Sequence, residues 1–332
     1  MKMTAGRALI GKREDVGPVT NISLYRRMRR PAAKIARVLL RRELAGRRCT
    51  PYSDDVCLVA YPRSGGTWLR FLTGTLVHPE NPVTFANLES TVPSIYHSPD
   101  WLLLRAARRR ILKSHESYYS RHQKVIYIVR DPRDVAVSYY HYVIKYRELP
   151  PGYPMADYVP RFMHEDFEAQ FGPWNDHVSS WLQMRQGQPD FLFLRYEDLL
   201  ADPMTGLDRI ADFMGITATT SRLRQVIGLS SSDHMRQLER KQSRQWSGTR
   251  KSRQDMFFVR SAKSGAWKQE LPAESARLIE SSWGRVMQTL RYPLSRVLAA
   301  ECASAGSTLG AGKADHSDGI HAGANMPGRV IQ

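Results

Sequence analysis

The stretch DVCLVAYPRSGGTWLRFLTGTLV at 55–77 constrains the fold most. Val56 to Tyr61 is a short, wholly apolar run, the pattern of a strand buried on both faces of a parallel sheet. It breaks at Pro62, and the pair Gly65–Gly66 opens a segment whose Trp68, Leu69, Leu72 and Leu76 fall on helical spacing. Strand, tight glycine turn and helix N-terminus together form an anion cradle, because unpaired backbone N–H groups and the helix dipole converge on one spot. Arg63, Ser64 and Thr67 add side-chain donors. A nucleotide-hydrolysing loop needs G-x-x-x-x-G-K-[ST], and no Lys follows Gly66, which argues against an ATP-dependent kinase.

A second switch of this kind lies at 124–142, KVIYIVRDPRDVAVSYYHY. Val125 to Val129 is again a buried strand, Asp131 suits a helix N-cap and Pro132 the first helical position. Arg130 therefore ends a strand at the mouth of a helix that carries Ser138 two turns on. Its plain alternative role is a salt bridge to Asp131 or Asp134. In an open parallel sheet ligands bind at the carboxyl ends of the strands, so two such switches predict two anion sites for one ligand. The expected fold is a three-layer α/β domain with a mainly parallel central sheet, its strands near 56–61, 110–113, 124–129 and 191–195.

The two ends of the chain differ from this middle. Of the net charge of +17, +11 falls in residues 1–50, leaving an ordinary balance for the rest. Residues 21–48 read as a basic amphipathic helix, Leu24, Met28, Ile35, Val38 and Leu39 forming a thin apolar stripe. Such a helix packs its stripe on the main domain, contacts an anionic membrane surface or holds a polyanion, and these readings stay open. No interleaved aromatics accompany the charge, so no specific nucleic-acid partner is expected. From 303 to 332 the chain is rich in Gly, Ala, Ser and Asp and predicts a disordered tail. The expected organisation is therefore a basic extension over 1–50, a catalytic domain over 51–300 and a tail over 303–332.

No run approaches the roughly 18 apolar residues of a membrane span, and the start turns charged before any signal-like apolar region forms. Cys49, Cys57 and Cys302 are too scattered for a disulfide framework or zinc cluster, which suits a reducing cytoplasm, with peripheral membrane association left open. No metal is expected.

Taken together, YPRSGGTW at 61–68 and VRDPRDVAVSYYHY at 129–142 resemble the two signature segments of sulfotransferases that use 3′-phosphoadenosine 5′-phosphosulfate (PAPS), in the cytosolic, soluble branch. LKSHES at 112–117, FGPWNDHVSSWL at 171–182, LFLRYEDLLADP at 192–203 and SGAWK at 264–268 resemble further family segments in order. The resemblance implies that Arg63, Ser64, Gly65, Gly66 and Thr67 hold the 5′-phosphosulfate and that Trp68 stacks on adenine. It implies that Arg130, Ser138 and Arg260 bind the 3′-phosphate and that Tyr196 touches the cofactor. His115 falls on the general base, with Lys113 near the sulfonate. A hydroxyl-bearing acceptor, an in-line displacement and no metal follow from the same likeness. Glu116 is the rival base, but neighbours on an extended strand point to opposite faces, so only one of the pair faces the site.

There are departures. Arg63 stands for the usual Lys, Ser261 and Ala262 for the Lys and Gly that normally follow the late arginine, and Ser232 for an adenine-side Phe. The family's short dimer motif is not legible after Lys268. Residues 143–175 carry five prolines and several aromatics, and read as a lid with Tyr146, Tyr153, Tyr158, Phe162 and Trp174 as walls of an acceptor pocket. For His141, His177 and His234 the expectation is a plain helix or loop role.

Overall fold

The computed structural model describes residues 49, 51–96, 98, 100–103, 110–167 and 169–295. Apart from Cys49, the expected basic extension and the expected tail at 303–332 lie outside these residues.

Among the described residues four strands form one sheet: β1 Val56–Ala60, β2 Ile111–Ser114, β3 Lys124–Val129 and β4 Phe191–Arg195. Their order is β2-β1-β3-β4, every pairing is parallel, and Val56 sits level with both Ile111 and Lys124. Both the strand positions and the parallel sheet match the expectation from the apolar runs.

Strand periodicity of two then sorts the core. Cys57, Val59, Val125, Tyr127 and Val129 face one side, where they pack with residues of α2 (Pro132–Lys145), α3 (Met155–Met163), α4 (Trp174–Arg185) and α9 (Ala273–Thr289). Val56, Leu58, Ala60, Ile126, Ile128 and Leu194 face the other side, with α1 (Gly66–Val77), α6 (Pro203–Met214) and α7 (Thr220–Leu229). The remaining longer helices are α5 (Tyr196–Ala201), which follows β4 directly, and α8 (Ser232–Gln242). The strands are mostly apolar, with Lys113, Ser114, Lys124 and Arg195 at or near their ends, because both sheet faces are covered, which makes three layers.

The order also fixes where a ligand can sit. The chain leaves β1 toward β2 on one side and leaves β3 toward β4 on the other, so a crevice opens between the carboxyl ends of β1 and β3. The two glycine and proline switches of the sequence border this crevice. No helix of the described residues is long and apolar enough to cross a membrane.

Candidate active site

The turn after β1 is built around two left-handed residues. Arg63 has φ +68° and Gly65 φ +101°, conformations that cost a residue with a Cβ on the order of 1 kcal/mol or more. Gly65 has a second reason to lack a side chain: a Cβ there would lie 2.8 Å from the Tyr196 ring. Gly65 is the N-cap of α1 and no side chain caps that end, so the first-turn N–H groups face the crevice without an internal acceptor. Ser64 is fully buried and its Oγ has no hydrogen-bond partner in the structure, an arrangement expected of a donor that awaits a ligand. Thr67 and Trp68 are half-buried on the first turn of α1, Trp68 meeting Tyr196 edge-on at 5.6 Å.

His115 directly follows β2 and lies against this turn: a Cβ on Gly66 would lie 4.0 Å from its Cε1. Its Nδ1 lies 2.5 Å from the Ala60 carbonyl. A carbonyl only accepts, so Nδ1 carries the proton and Nε2 is the basic nitrogen. The Tyr96 hydroxyl accepts from the His115 N–H at 2.9 Å, and the Tyr96 and Phe171 rings pack on the imidazole at 5.9 and 5.3 Å. Lys113 is buried, its Nζ 5.2 Å from the centre of the Tyr96 ring. The rival Glu116 instead accepts from the Tyr96 hydroxyl at 3.4 Å.

The second switch is built differently. Asp131 caps α2, accepting from Arg133 N at 2.9 Å, with Pro132 at the first helical position as expected. The same carboxylate holds the buried Arg133 guanidinium, which also pairs with Glu280 at 2.5 Å. This helix N-terminus is therefore already satisfied, and what it offers an anion is side chains. Arg130 makes no ion pair with Asp131 or Asp134. Its fork donates to the carbonyls of Lys263 (2.8 Å) and Arg63 (3.3 Å), it stacks 4.5 Å from the Tyr196 ring, and its buried Nε has no partner. Asp134 instead accepts from Gly265 N at 2.7 Å and Trp267 N at 3.0 Å, tying the late segment to α2.

Arg63 is turned away from the place the sequence reading gave it. Its Nε donates to Ser138 Oγ at 3.2 Å, and its guanidinium lies between the rings of Phe258 (4.4 Å) and Tyr142 (5.1 Å). A planar fork fits between aromatic faces where a compact ammonium would not. Burial pulls its pKa down from the usual range, as it does for any cation moved from water. Arg63, Ser138, His141, Lys145, Phe258 and Arg260 thereby line one cleft beside the second switch. Arg260 is held there by Glu270 at 2.7 Å, and Glu270 also meets His141 Nε2 at 2.7 Å.

Sequence reasoning missed the parts that hold this cleft. Arg236 on α8 donates to the carbonyls of Val259, Arg260 and Ser261, and Glu239 accepts from Val259 N at 3.0 Å. Of the residues near the expected adenine side, Ser231 caps α8, Ser232 is its first residue and Met235 is buried.

The acceptor-wall expectation is corrected. Tyr158, Phe162 and Trp174 are 0, 3 and 0% exposed and belong to the sheet-facing core with Val135 and Trp283. Their i, i+4 pair, 158 and 162, is the buried stripe of α3, and burying such rings contributes more than lining a cleft with them. Tyr146 and Tyr153 are half-buried, and the Tyr146 hydroxyl donates to the Gly248 carbonyl.

A parallel α/β sheet with an uncapped glycine-led helix N-terminus, an oriented histidine and a cationic cleft across the switch point makes an anion-binding crevice with a basic nitrogen beside it. The chain belongs to the sulfotransferase family: the model of the sulfotransferase domain matches residues 53–291. Sulfotransferase 1B1 of Mus musculus is 30% identical over 199 residues, 55% of this chain and 66% of its own length. Sulfotransferase 2B1 of Homo sapiens is 31% identical over 199 residues, 55% of this chain but 52% of its own length, so the match spans between half and two thirds of these relatives. Two solved structures share the fold. Mouse sulfotransferase SULT7A1 complexed with PAP aligns with a TM-score of 0.58 at 22% identity, over 79% of this chain and 91% of that one. Retinol dehydratase in complex with androsterone and the inactive cofactor PAP aligns with a TM-score of 0.60 at 22% identity, over 71% and 81%.

Proposed function

We propose that this chain transfers a sulfonate group from PAPS to an acceptor hydroxyl, with His115 as the general base. The observation that carries the reading is the contact of an oriented imidazole with the uncapped turn: His115 Nδ1 on the Ala60 carbonyl, its ring against Gly66, and the unpartnered Ser64 beside it. These residues fit a 5′-phosphosulfate, since open N–H groups and an orphaned hydroxyl are what a tetrahedral anion needs. Arg63, Ser138 and Arg260 along the cleft, with Arg130 behind the Arg63 carbonyl, supply the donors a second phosphate needs, and Trp68 with Tyr196 an adenine edge. Relatives complexed with PAP support the same assignment.

A hydroxyl is a poor nucleophile near neutral pH. His115 Nε2 takes its proton as the new oxygen–sulfur bond forms and the bond from sulfur to the 5′-phosphate oxygen breaks. The leaving oxygen gains negative charge beside the first-turn N–H groups of α1, Ser64 and Lys113, which are fixed in place beforehand. Most of the acceleration comes from this positioning and these fixed charges. The rings of Tyr96 and Phe171 around the imidazole support an acceptor with an apolar or aromatic body.

Thermal unfolding with adenosine 3′,5′-bisphosphate tests the nucleotide site. At 100 times its dissociation constant the ligand should stabilise by about 2.7 kcal/mol, with or without a chelator. Stabilisation by ATP with magnesium alone would favour a kinase. His115→Ala should lose about 10²-fold or more in turnover while the bisphosphate still binds; equal turnover removes His115 from the chemistry.

A further inference from the structure

Past Ser114 the chain leaves the sheet, so residues 115–118 have no neighbouring strand to satisfy their backbone. One face of α4 does it instead. His177 Nε2 lies 3.1 Å from the His115 carbonyl, Trp181 Nε1 donates to the Glu116 carbonyl at 2.9 Å, and Ser180 Oγ accepts from Tyr118 N at 2.9 Å. Ser117 Oγ donates to the Phe171 carbonyl at 3.1 Å, just ahead of the same helix. His177 and Trp181 stand four apart, one turn above the other, which lets them grip successive carbonyls.

The acceptor-only carbonyl also fixes the proton on His177. Nε2 must donate to it, so Nδ1 accepts from the Tyr127 hydroxyl 3.0 Å away on β3. Both residues are fully buried, and burial lowers the His177 pKa to about 4, so the ring stays neutral and this arrangement persists through the neutral range. The rings packed on it are Tyr61, edge-on at 5.5 Å, and Tyr127 at 5.8 Å, whose hydroxyl pKa burial pushes up. His115 is thus held at three points: its carbonyl by His177, its N–H by Tyr96 and its Nδ1 by Ala60.

We infer that His177, set by Tyr127, is a positioning residue that aims the His115 imidazole by holding its backbone carbonyl. This rests on the reading of His115 as the base. Freed of that bond, residue 115 turns about its backbone, and a displacement of about 1 Å at a reacting group costs on the order of 10²-fold in rate. The nucleotide, bound on other elements, is untouched.

The test compares wild type, His115→Ala, His177→Ala, His177→Gln and Tyr127→Phe in the full chain, reading kcat, KM for PAPS and calorimetric affinity for adenosine 3′,5′-bisphosphate. His177→Ala should lose about 10- to 100-fold in kcat with the bisphosphate affinity within about twofold. His177→Gln, whose amide N–H reaches the same carbonyl, should regain most of that loss, and Tyr127→Phe should lose only a few-fold. A kcat within twofold of wild type in His177→Ala, a matching loss of nucleotide affinity, or no rescue by Gln overturns the assignment. Should His177→Ala not fold, ring-nitrogen NMR of the wild type decides: the proton on Nε2 of His177 supports the clamp and a proton on Nδ1 ends it. Full turnover in His115→Ala would strike the base reading, and with it the catalytic purpose of the clamp, whereas the NMR result separately shows whether the hydrogen bond from His177 exists.

Discussion

The two switches at the crevice look alike in sequence, each a buried strand running into a helix, yet they solve opposite problems. The turn after β1 leaves its helix N-terminus uncapped, twists two residues into left-handed backbone and buries a serine hydroxyl without a partner. The turn after β3 closes its helix with Asp131 and locks that cap to Arg133 and Glu280, all in the interior. The first region leaves donors open at some expense of stability, and the second is a rigid post that carries Ser138 to the cleft and sets Arg130 on the Arg63 and Lys263 carbonyls. An N-terminus cannot be both capped by its own carboxylate and open to an external anion. The donors left open at the first switch are therefore backbone N–H groups and the Ser64 hydroxyl, whereas at the second they are side chains alone.

The largest effect expected from this contrast is on stability. Asp131→Ala removes a cap and leaves the buried Arg133 with Glu280 as its remaining carboxylate, which should cost about 3–5 kcal/mol in urea unfolding. Bisphosphate affinity of the folded fraction should stay within a few-fold. A loss below about 1 kcal/mol would mean that the second switch is no more rigid than the first.

Ser64→Ala should move the other way at the first switch. Deleting a buried hydroxyl that has no partner removes an unmet desolvation penalty, so the variant should be as stable as wild type or slightly more so. Its affinity for the bisphosphate should fall by about 1 kcal/mol, roughly fivefold, because the hydroxyl is then missing where an anion would use it. A variant that loses stability but binds equally well would show that Ser64 serves the fold, and the contrast between the regions would fail on that side.

How far this was readable beforehand follows the range of the interactions. Strands 56–60 and 124–129, the Asp131 cap and Pro132 were legible because they depend on neighbours within a few residues. The parallel sheet followed from apolar runs with no alternation. The side of each ring in 143–175 was not: counting aromatics says nothing of direction, although the 158/162 spacing within α3 carried the answer. Arg63 was set at the first anion by position in its motif, but its side chain reaches 75 residues along the chain to Ser138. Tyr96 on the His115 N–H and Arg236 on the 259–261 carbonyls are likewise contacts between distant segments, and no local pattern announces them.

Glu270 sharpens the comparison with the smallest effect. It puts a carboxylate into the second cleft, on Arg260 and His141, where, under the proposed function, an incoming phosphate competes with it for the same donors. The first switch holds no such stand-in. Burial alone would raise the Glu270 carboxyl, but hydrogen bonds from His141 and Arg260 hold it below the usual carboxylate range. A carboxyl depressed in the folded state adds stability above its unfolded pKa and loses it as pH falls through the lower folded value. With the Glu270 side chain 29% exposed, solvent screening keeps that contribution under about 1 kcal/mol. Glu270→Gln should therefore flatten the acid limb of the stability curve slightly. It should also tighten adenosine 3′,5′-bisphosphate by about two- to fivefold, within the worth of one partly exposed ion pair, and leave adenosine 5′-phosphate unchanged, since only the former carries the phosphate proposed for Arg260. Weaker bisphosphate binding in the variant would reverse the assignment, making Glu270 the residue that aims Arg260 and giving the second cleft the same prearranged character as the first.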